Sequence, residues 1–148
     1  MAQKFYGYFP LNLYRLGNKG GNKIDILRNR DIAEIVFYRY RGSDSKVETG
    51  RSGETCWVKG GPNGGISLFD NIETAPIQGK FWYKIPHNVD IPSGLGVSDS
   101  RRKPNKATHY TIFPAVDMPL DNFKLLLRQI AEDVRVKAMF TRIENNVG

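Results

Sequence analysis

The chain has 148 residues, of which 40% are hydrophobic and 25% charged. This size and composition predict one folded domain over residues 1–148 and are not those of a disordered chain. The formal net charge is +7, from 22 basic against 15 acidic residues, and it favours anionic partners such as a nucleotide, a nucleic acid or an acidic protein.

The first part of the chain predicts strands, turns and one short helix. Apolar and polar residues alternate over 11–16, the period of a half-buried strand, and a glycine-rich turn cluster follows at 17–22. The apolar spacing over 32–39 predicts a short amphipathic helix with a polar cap before it. Residues 41–53 are polar and contain glycine, which predicts a loop, and 55–59 form a strand rich in β formers.

Three further strands are predicted in the second part, with a long connection between the last two. A glycine-rich turn at 60–65 leads into a strand over 66–70, and a second strand over 80–86 is stopped by proline. Prolines, serines and a basic cluster over 86–106 predict a long irregular connection, and connections of this length are often functional. The last strand is predicted over 108–113.

A helix is predicted at the end of this series. From Leu120 to Val134, apolar residues recur at intervals of three, four, three and four residues, after Pro119 in the first turn. The expected fold class is therefore α+β, with a strand-rich core and a long C-terminal helix packed on it.

The expected compartment is the cytoplasm. Cys56 is the only cysteine, which excludes an internal disulfide and a multi-cysteine zinc site and is typical of a reducing environment. No run of about 18 apolar residues predicts a membrane span, and the first ten residues lack the apolar core of a signal peptide. We expect a protein that, if it is secreted and delivered into the cytoplasm of a target cell, travels without a cleavable signal.

The chemistry-bearing residues are few. Motifs of phosphate-binding loops, serine hydrolases and zinc proteases are absent, and the two histidines, His87 and His109, are too few for a histidine metal site. No metal cofactor is therefore predicted. Ser67 is suited to hydrogen-bond a ribose hydroxyl or an amide, and Arg15 to pair with a phosphate. His109 is suited to donate to a ribose or phosphate oxygen, or to carry a proton near neutral pH.

Each candidate also has an ordinary structural interpretation. The glycine pair ending at Gly65 would let a ligand approach the backbone, but it also suits a hairpin turn. Ser67 has the alternative of a half-buried strand serine, Arg15 that of a surface ion pair, and His109 that of a core histidine. The residues alone leave both interpretations open.

Four segments of the chain resemble, in order and spacing, a known family. They are Leu-Tyr-Arg at 13–15, Gly-Gly-Ile-Ser-Leu-Phe-Asp at 64–70, Asp-Ile-Pro at 90–92, and Ala-Thr-His-Tyr-Thr-Ile with a following Pro-Ala within 107–115. They are similar to segments of the type VI secretion exported effector two family of toxins. The fold of that family is ADP-ribosyltransferase-like, with two small antiparallel sheets that form a cleft.

The resemblance implies a NAD-dependent toxin, a glycosyltransferase of the ADP-ribosyltransferase type, neutralised by a cognate acidic immunity protein. By position, it implies that Arg15 binds phosphate or ribose, that Gly65, Ile66 and Ser67 lie along the nicotinamide side, and that His109 contacts the ribose. Ser67 and His109 are the implied catalytic residues. The macromolecular target is not implied, and no membrane partner is expected.

Two departures from the family pattern are visible in the sequence. The family has threonine where this chain has Ile66, and the strand at 108–113 offers no glutamate for the ribose hydroxyl; Glu54, Glu73 and Asp70 are the available substitutes. Two other functions stay open from the residues. One is a metal-independent ribonuclease toxin with His109 and His87 as acid and base, and the other is a basic module that binds nucleic acid or protein.

Overall fold

The computed structural model describes residues 3–18, 20–27, 37–41, 45–46, 56–62, 64–77, 79–100 and 106–138. Within these ranges the chain forms eleven strands and one helix, α1, which spans Leu120–Ala131. The strands are β1 Lys4–Phe5, β2 Leu13–Leu16, β3 Phe37–Arg41, β4 Ser45–Lys46, β5 Cys56–Val58, β6 Ile66–Phe69, β7 Trp82–Ile85, β8 Leu95–Asp99, β9 His109–Pro114, β10 Met118–Pro119 and β11 Lys137–Ala138.

The strands of the described residues form two antiparallel sheets. The larger has seven strands in the order β1-β8-β9-β6-β2-β7-β11, and the smaller has four in the order β10-β5-β3-β4. The predicted α+β class with two antiparallel sheets is confirmed. The prediction that both sheets are small is wrong for the first, because short strands from both ends of the described chain extend its edges.

The main core lies between the larger sheet, the smaller sheet and α1. Leu13 and Leu68 come from the larger sheet, Val58 from the smaller and Phe123 from the helix, and all four are fully buried. Burial of such side chains stabilises the fold by about 1.5–3 kcal/mol each. This shared core fixes the larger sheet against the helix and leaves its second face for other contacts.

The second face of the larger sheet holds a smaller apolar cluster. Phe69 and Trp82 pack there with Ile72 and Ala75 from the connection between β6 and β7. The two clusters alternate along the strands because successive strand residues point to opposite faces. In β6, for example, Leu68 belongs to the main core and Phe69 to the smaller cluster.

Helix α1 confirms the apolar period but is shorter than predicted. Its buried residues recur at the expected spacing of three and four: Leu120, Phe123, Leu127 and Ile130. Val134, predicted as the last residue of that face, lies beyond the end of the helix and is 86% exposed. The amide of Glu132 donates to the carbonyl of Arg128, which closes the final turn, and Asp133 begins a separate turn with Arg135.

Residues 86–106 are not irregular throughout, as the sequence suggested. They contain β8, whose Leu95 and Val97 are buried in the main core. Glycine and proline lowered the strand signal. Gly96 is required there because a side chain would collide with the rings of Tyr6 and Phe113, at 2.7 and 2.6 Å from the added carbon.

Two other predictions fall partly on described residues. The helix predicted over 32–39 is wrong at its end, because Phe37–Arg41 is a strand that pairs with β5; residues 32–36 lie outside the described residues. The loop predicted over 41–53 contains strand β4, paired with β3, and most of the rest lies outside the described residues.

The helix of the described residues, α1, is not long and apolar enough to cross a membrane.

Candidate functional site

Strands β6 and β9 bring Ser67 and His109 to one face of the larger sheet. Ser67 pairs with Thr111 and Phe69 pairs with His109 in an antiparallel register. Directly paired residues share a face, and so do residues two apart on one strand. Ser67 and His109 are therefore diagonal neighbours across the two strands, on the face opposite the main core.

The imidazole of His109 is supported by aromatic rings. Its ring centroid lies 5.4 Å from that of Phe69, with the two planes tilted by 42°. Phe69 in turn meets Trp82 edge to face at 6.4 Å, and Trp82 is buried. Aromatic contacts of this kind contribute about 0.5–1.5 kcal/mol beyond burial, so the histidine has a defined orientation while staying half-buried.

Arg15 lies on the other face of the same sheet. Its strand neighbour Tyr14 pairs with Phe69 and so shares the face of Ser67 and His109, which directs Arg15 toward the main core. Arg15 is 1% exposed, and its Nη1 donates to the carbonyl of Ser67 at 3.1 Å and its Nη2 to the carbonyl of Lys23 at 3.3 Å. The structure thus joins Arg15 to Ser67 through the backbone, and it does not bring the guanidinium to the face of the Ser67 hydroxyl.

Gly65 and Ile66 are packed against β9 and the main core. A Cβ on Gly65 would overlap the carbonyl group of Ile112, so the close approach of β9 requires glycine at this position. The Ile66 side chain is fully buried in the main core. Close packing against β9 is sufficient to explain glycine at position 65, and the Ile66 side chain faces the main core and not the Ser67 face.

Comparison with known families identifies the family of this chain. A family model described as the Tse2 ADP-ribosyltransferase toxin matches residues 13–139. The chain belongs to the Tse2 ADP-ribosyltransferase toxin family. This confirms the resemblance predicted from residues 64–70 and 107–115. No match was found among curated proteins.

The Tse2 family match extends from β2 to just after β11 and therefore includes both strands of the candidate site. At a coarse level, membership supports a toxin with ADP-ribosyltransferase-type activity. Strand β1 lies outside the matched residues, although it is hydrogen-bonded to β8.

The carboxylates considered for this Tse2-family site differ in their availability. Asp70 follows β6 directly, and its Oδ1 accepts a hydrogen bond from the Thr108 amide at 2.7 Å, while the Asp70 amide donates to the Thr108 carbonyl. Its carboxylate thus fixes the start of β9 next to His109. Glu73 is exposed in the loop after Asn71, whose Oδ1 accepts from its amide. Glu54 lies outside the described residues.

The two histidines of the ribonuclease interpretation are far apart. His109 begins β9, whereas His87 follows β7, and strands β6 and β2 lie between them. Three strand spacings correspond to about 14 Å, which is too far for an acid and a base to act on one phosphate. His87 is exposed, and its amide donates to Asn12 Oδ1 at 2.9 Å.

Sequence reasoning missed two polar residues beside Ser67. Thr111 pairs with Ser67 and also with Ser98 of β8, so the three hydroxyl groups form one line across three strands. Ser98 fell within the predicted connection, although buried Leu95 and Val97 alternate with Gly96 and Ser98 as in a strand. Among the described residues, no group of three or more histidine, cysteine or acidic side chains is arranged to hold a metal ion.

Proposed function

We propose that this chain is a NAD-dependent toxin that transfers ADP-ribose to a target molecule. Membership of the Tse2 ADP-ribosyltransferase toxin family supports the reaction class. The observation that carries the site is the register of β6 and β9, in which Ser67 and His109 are diagonal neighbours on the face away from the core. Ser67 and His109 place two hydrogen-bonding side chains next to each other on this face, in addition to the packing of His109 on Phe69.

The chemical step breaks the bond between the nicotinamide nitrogen and C1 of its ribose. Nicotinamide leaves with the bonding electron pair, and a nucleophile of the target bonds to C1 and loses its proton. Because positive charge develops at the ribose, the enzyme contributes mainly by positioning and by electrostatics. In this proposal His109 hydrogen-bonds the ribose, and Ser67 hydrogen-bonds the nicotinamide amide with the backbone of Gly65 and Ile66 alongside.

Arg15 has an indirect role in this proposal. A phosphate contact would require the guanidinium to leave the carbonyls of Ser67 and Lys23 and to reach the opposite face of the sheet. Desolvated hydrogen bonds to a charged group are strong, about 1.5–3 kcal/mol each, so this rearrangement is unfavourable. Arg15 instead fixes the backbone of Ser67 and thereby the direction of its hydroxyl.

The proposal includes a protein partner. A toxin made in the cytoplasm of its producer requires neutralisation there before it is delivered into a target cell. The net charge of +7 favours an acidic immunity protein, and the face of Ser67 and His109 is the surface whose coverage would block NAD.

The test is release of nicotinamide from NAD by purified protein. Ser67→Ala and His109→Ala should each lower the rate by at least about tenfold. Ser93→Ala and His87→Ala change the same residue types at exposed positions and should leave the rate unchanged. If the two site variants are folded and release nicotinamide at the parent's rate, the site is wrong.

A further inference from the structure

The line of hydroxyl groups on the Ser67 face continues to a lysine at the edge of the sheet. Strand β1 pairs with β8 so that Lys4 lies opposite Ser98, and Ser98 lies opposite Thr111, which lies opposite Ser67. The four residues form a polar row across four neighbouring strands. Since strands are spaced by about 4.8 Å, the row extends for about 14 Å from Ser67 to Lys4.

The groups in the polar row are suited to a ligand rich in phosphate and hydroxyl oxygens. Serine and threonine hydroxyls both donate and accept hydrogen bonds, and an ammonium group is a frequent phosphate partner. Along the row, Ser67 and Thr111 are half-buried, Ser98 is 7% exposed, and Lys4 at the end is exposed. The charged end is therefore accessible to solvent.

An aromatic ring stands beside the charged end of the polar row. Tyr6 meets Phe113 edge to face, with ring centroids 6.2 Å apart and planes at 81°, and Phe113 lies on the face of Thr111. Gly96 leaves room for this ring, because a Cβ there would lie 2.7 Å from Tyr6. Tyr6 remains 55% exposed, so much of its ring is free to stack with a planar ligand group.

A groove of about 380 Å³ opens at the same edge. It is lined by Lys4, Phe5, Tyr6, Tyr8 and Pro10. A cation, exposed tyrosine rings and a concave surface thus lie together at the end of the polar row, a combination suited to an adenosine attached to a diphosphate. All five residues lie outside residues 13–139, the part of the chain matched by the family model.

We infer that β1 and the residues after it bind the adenosine-diphosphate half of NAD. Lys4 contacts the diphosphate, and Tyr6 stacks on the adenine. This inference rests on the proposed function, because it takes the nicotinamide half to lie at Ser67 and His109. The row then runs from the nicotinamide amide at Ser67 to the phosphates at Lys4.

Calorimetric titration of the full chain with three probes tests this inference: NAD, ADP-ribose and nicotinamide mononucleotide. Lys4→Gln should weaken NAD and ADP-ribose binding by about fivefold, and added salt should reduce the difference. Tyr6→Leu should weaken the same two probes but not nicotinamide mononucleotide, which lacks the adenine. Tyr6→Phe retains the ring and should bind as the parent does.

The matched control is Lys80→Gln, which removes the same charge from an exposed residue before β7, five strands away from β1. Its affinities should stay within about twofold of the parent. A parent that binds NAD while Lys4→Gln and Tyr6→Leu bind it equally well overturns the inference and leaves the proposed function standing. An equal loss for Lys80→Gln overturns it too, since the effect is then general charge. A parent that binds neither NAD nor ADP-ribose overturns both.

Discussion

Nη1 of Arg15 donates a hydrogen bond to the carbonyl oxygen of Ser67 from the buried face of the sheet, over 3.1 Å. The side chain of Ser67 lies on the opposite face with His109. A charged core residue is thus connected, through one peptide group, to the residue proposed to hold nicotinamide. Arg15 could therefore act in two ways, by stabilising the fold through its hydrogen bonds or by contacting NAD directly, and the two can be distinguished by experiment.

We expect Arg15→Met to destabilise the fold by about 2–4 kcal/mol. The substitution removes a buried guanidinium that donates to the part-buried carbonyls of Ser67 and Lys23, and loss of a hydrogen bond from a charged group costs about 1.5–3 kcal/mol. Denaturant unfolding measures the change, with Arg135→Met as the comparison, since the loss of an exposed ion pair should cost much less. A variant as stable as the parent that no longer binds NAD would instead identify Arg15 as a ligand of the phosphates.

Production of the chain without an antidote should arrest bacterial growth. Ser67→Ala and His109→Ala should relieve the arrest, because each removes a hydrogen-bonding group from the proposed NAD face while the main core stays intact. Colony counts after induction measure this, with Ser93→Ala and His87→Ala as matched controls. Circular dichroism must show the variants folded, since loss of the His109 contact with Phe69 alone costs about 1 kcal/mol.

Gly65→Ala should destabilise the protein by about 2–4 kcal/mol. The added methyl group would overlap the carbonyl of Ile112 and separate β6 from β9, which is a backbone clash that rotation of a side chain does not relieve. Gly20→Ala is the matched control, because its nearest neighbour there is Asn18 Oδ1 at 3.2 Å and the site is exposed. Equal melting temperatures for the two variants would contradict the predicted close approach.

The ion pair after α1 should give a small pH-dependent contribution to stability. Hydrogen bonds from Arg135 lower the pKa of Asp133 below its ordinary value of 3.8. A carboxyl group whose pKa is lower in the folded state than in the unfolded chain stabilises the protein at pH values above its unfolded-state pKa. This stabilisation is lost as the pH falls through the folded-state pKa. Asp133→Asn should therefore melt below the parent at pH 7, and the difference should shrink and then disappear as the pH falls through the lowered pKa of Asp133.

A double variant provides the check for this pair. Asp133→Asn and Arg135→Gln should lower the melting temperature by similar amounts, and the double variant should melt little below either one, because both changes remove the same contact. Arg135 also donates to the Asn88 carbonyl, so its variant is expected to be slightly the less stable of the two. Fully additive losses would show that the two residues act separately.

The immunity partner should bind by a salt-sensitive encounter and block NAD. Charge attraction toward the +7 toxin mainly raises the association rate, whereas buried anchors set the dissociation rate. Surface plasmon resonance at rising salt should show slower association with little change in dissociation. Calorimetry of the complex should show no NAD binding, and a complex that binds NAD with the free protein's affinity would contradict occlusion.

The two strands of the candidate site could be predicted from local sequence patterns. That Ser67 and His109 share one face of the sheet could not, because it depends on how the two strands pair. The segments at 66–70 and 108–113 read as strands, but only the partnership of Phe69 with His109 brings Ser67 and His109 together. Strand β8 was missed because Gly96 is present for the rings of Tyr6 and Phe113, which are distant in sequence. The burial of Arg15 was also not predictable, since a single arginine on an alternating strand usually faces solvent.

The alternation of β6 and β9 between the core and the open face has a practical consequence for work with this toxin. Positions 66, 68, 110 and 112 belong to the core, while 67, 109 and 111 belong to the other face. If the proposed site is right, shortening the Ser67 side chain should remove activity and leave the packing of the main core unchanged. A disarmed form of this kind would permit high-yield production in bacteria and would keep nearly the whole surface for selecting neutralising binders.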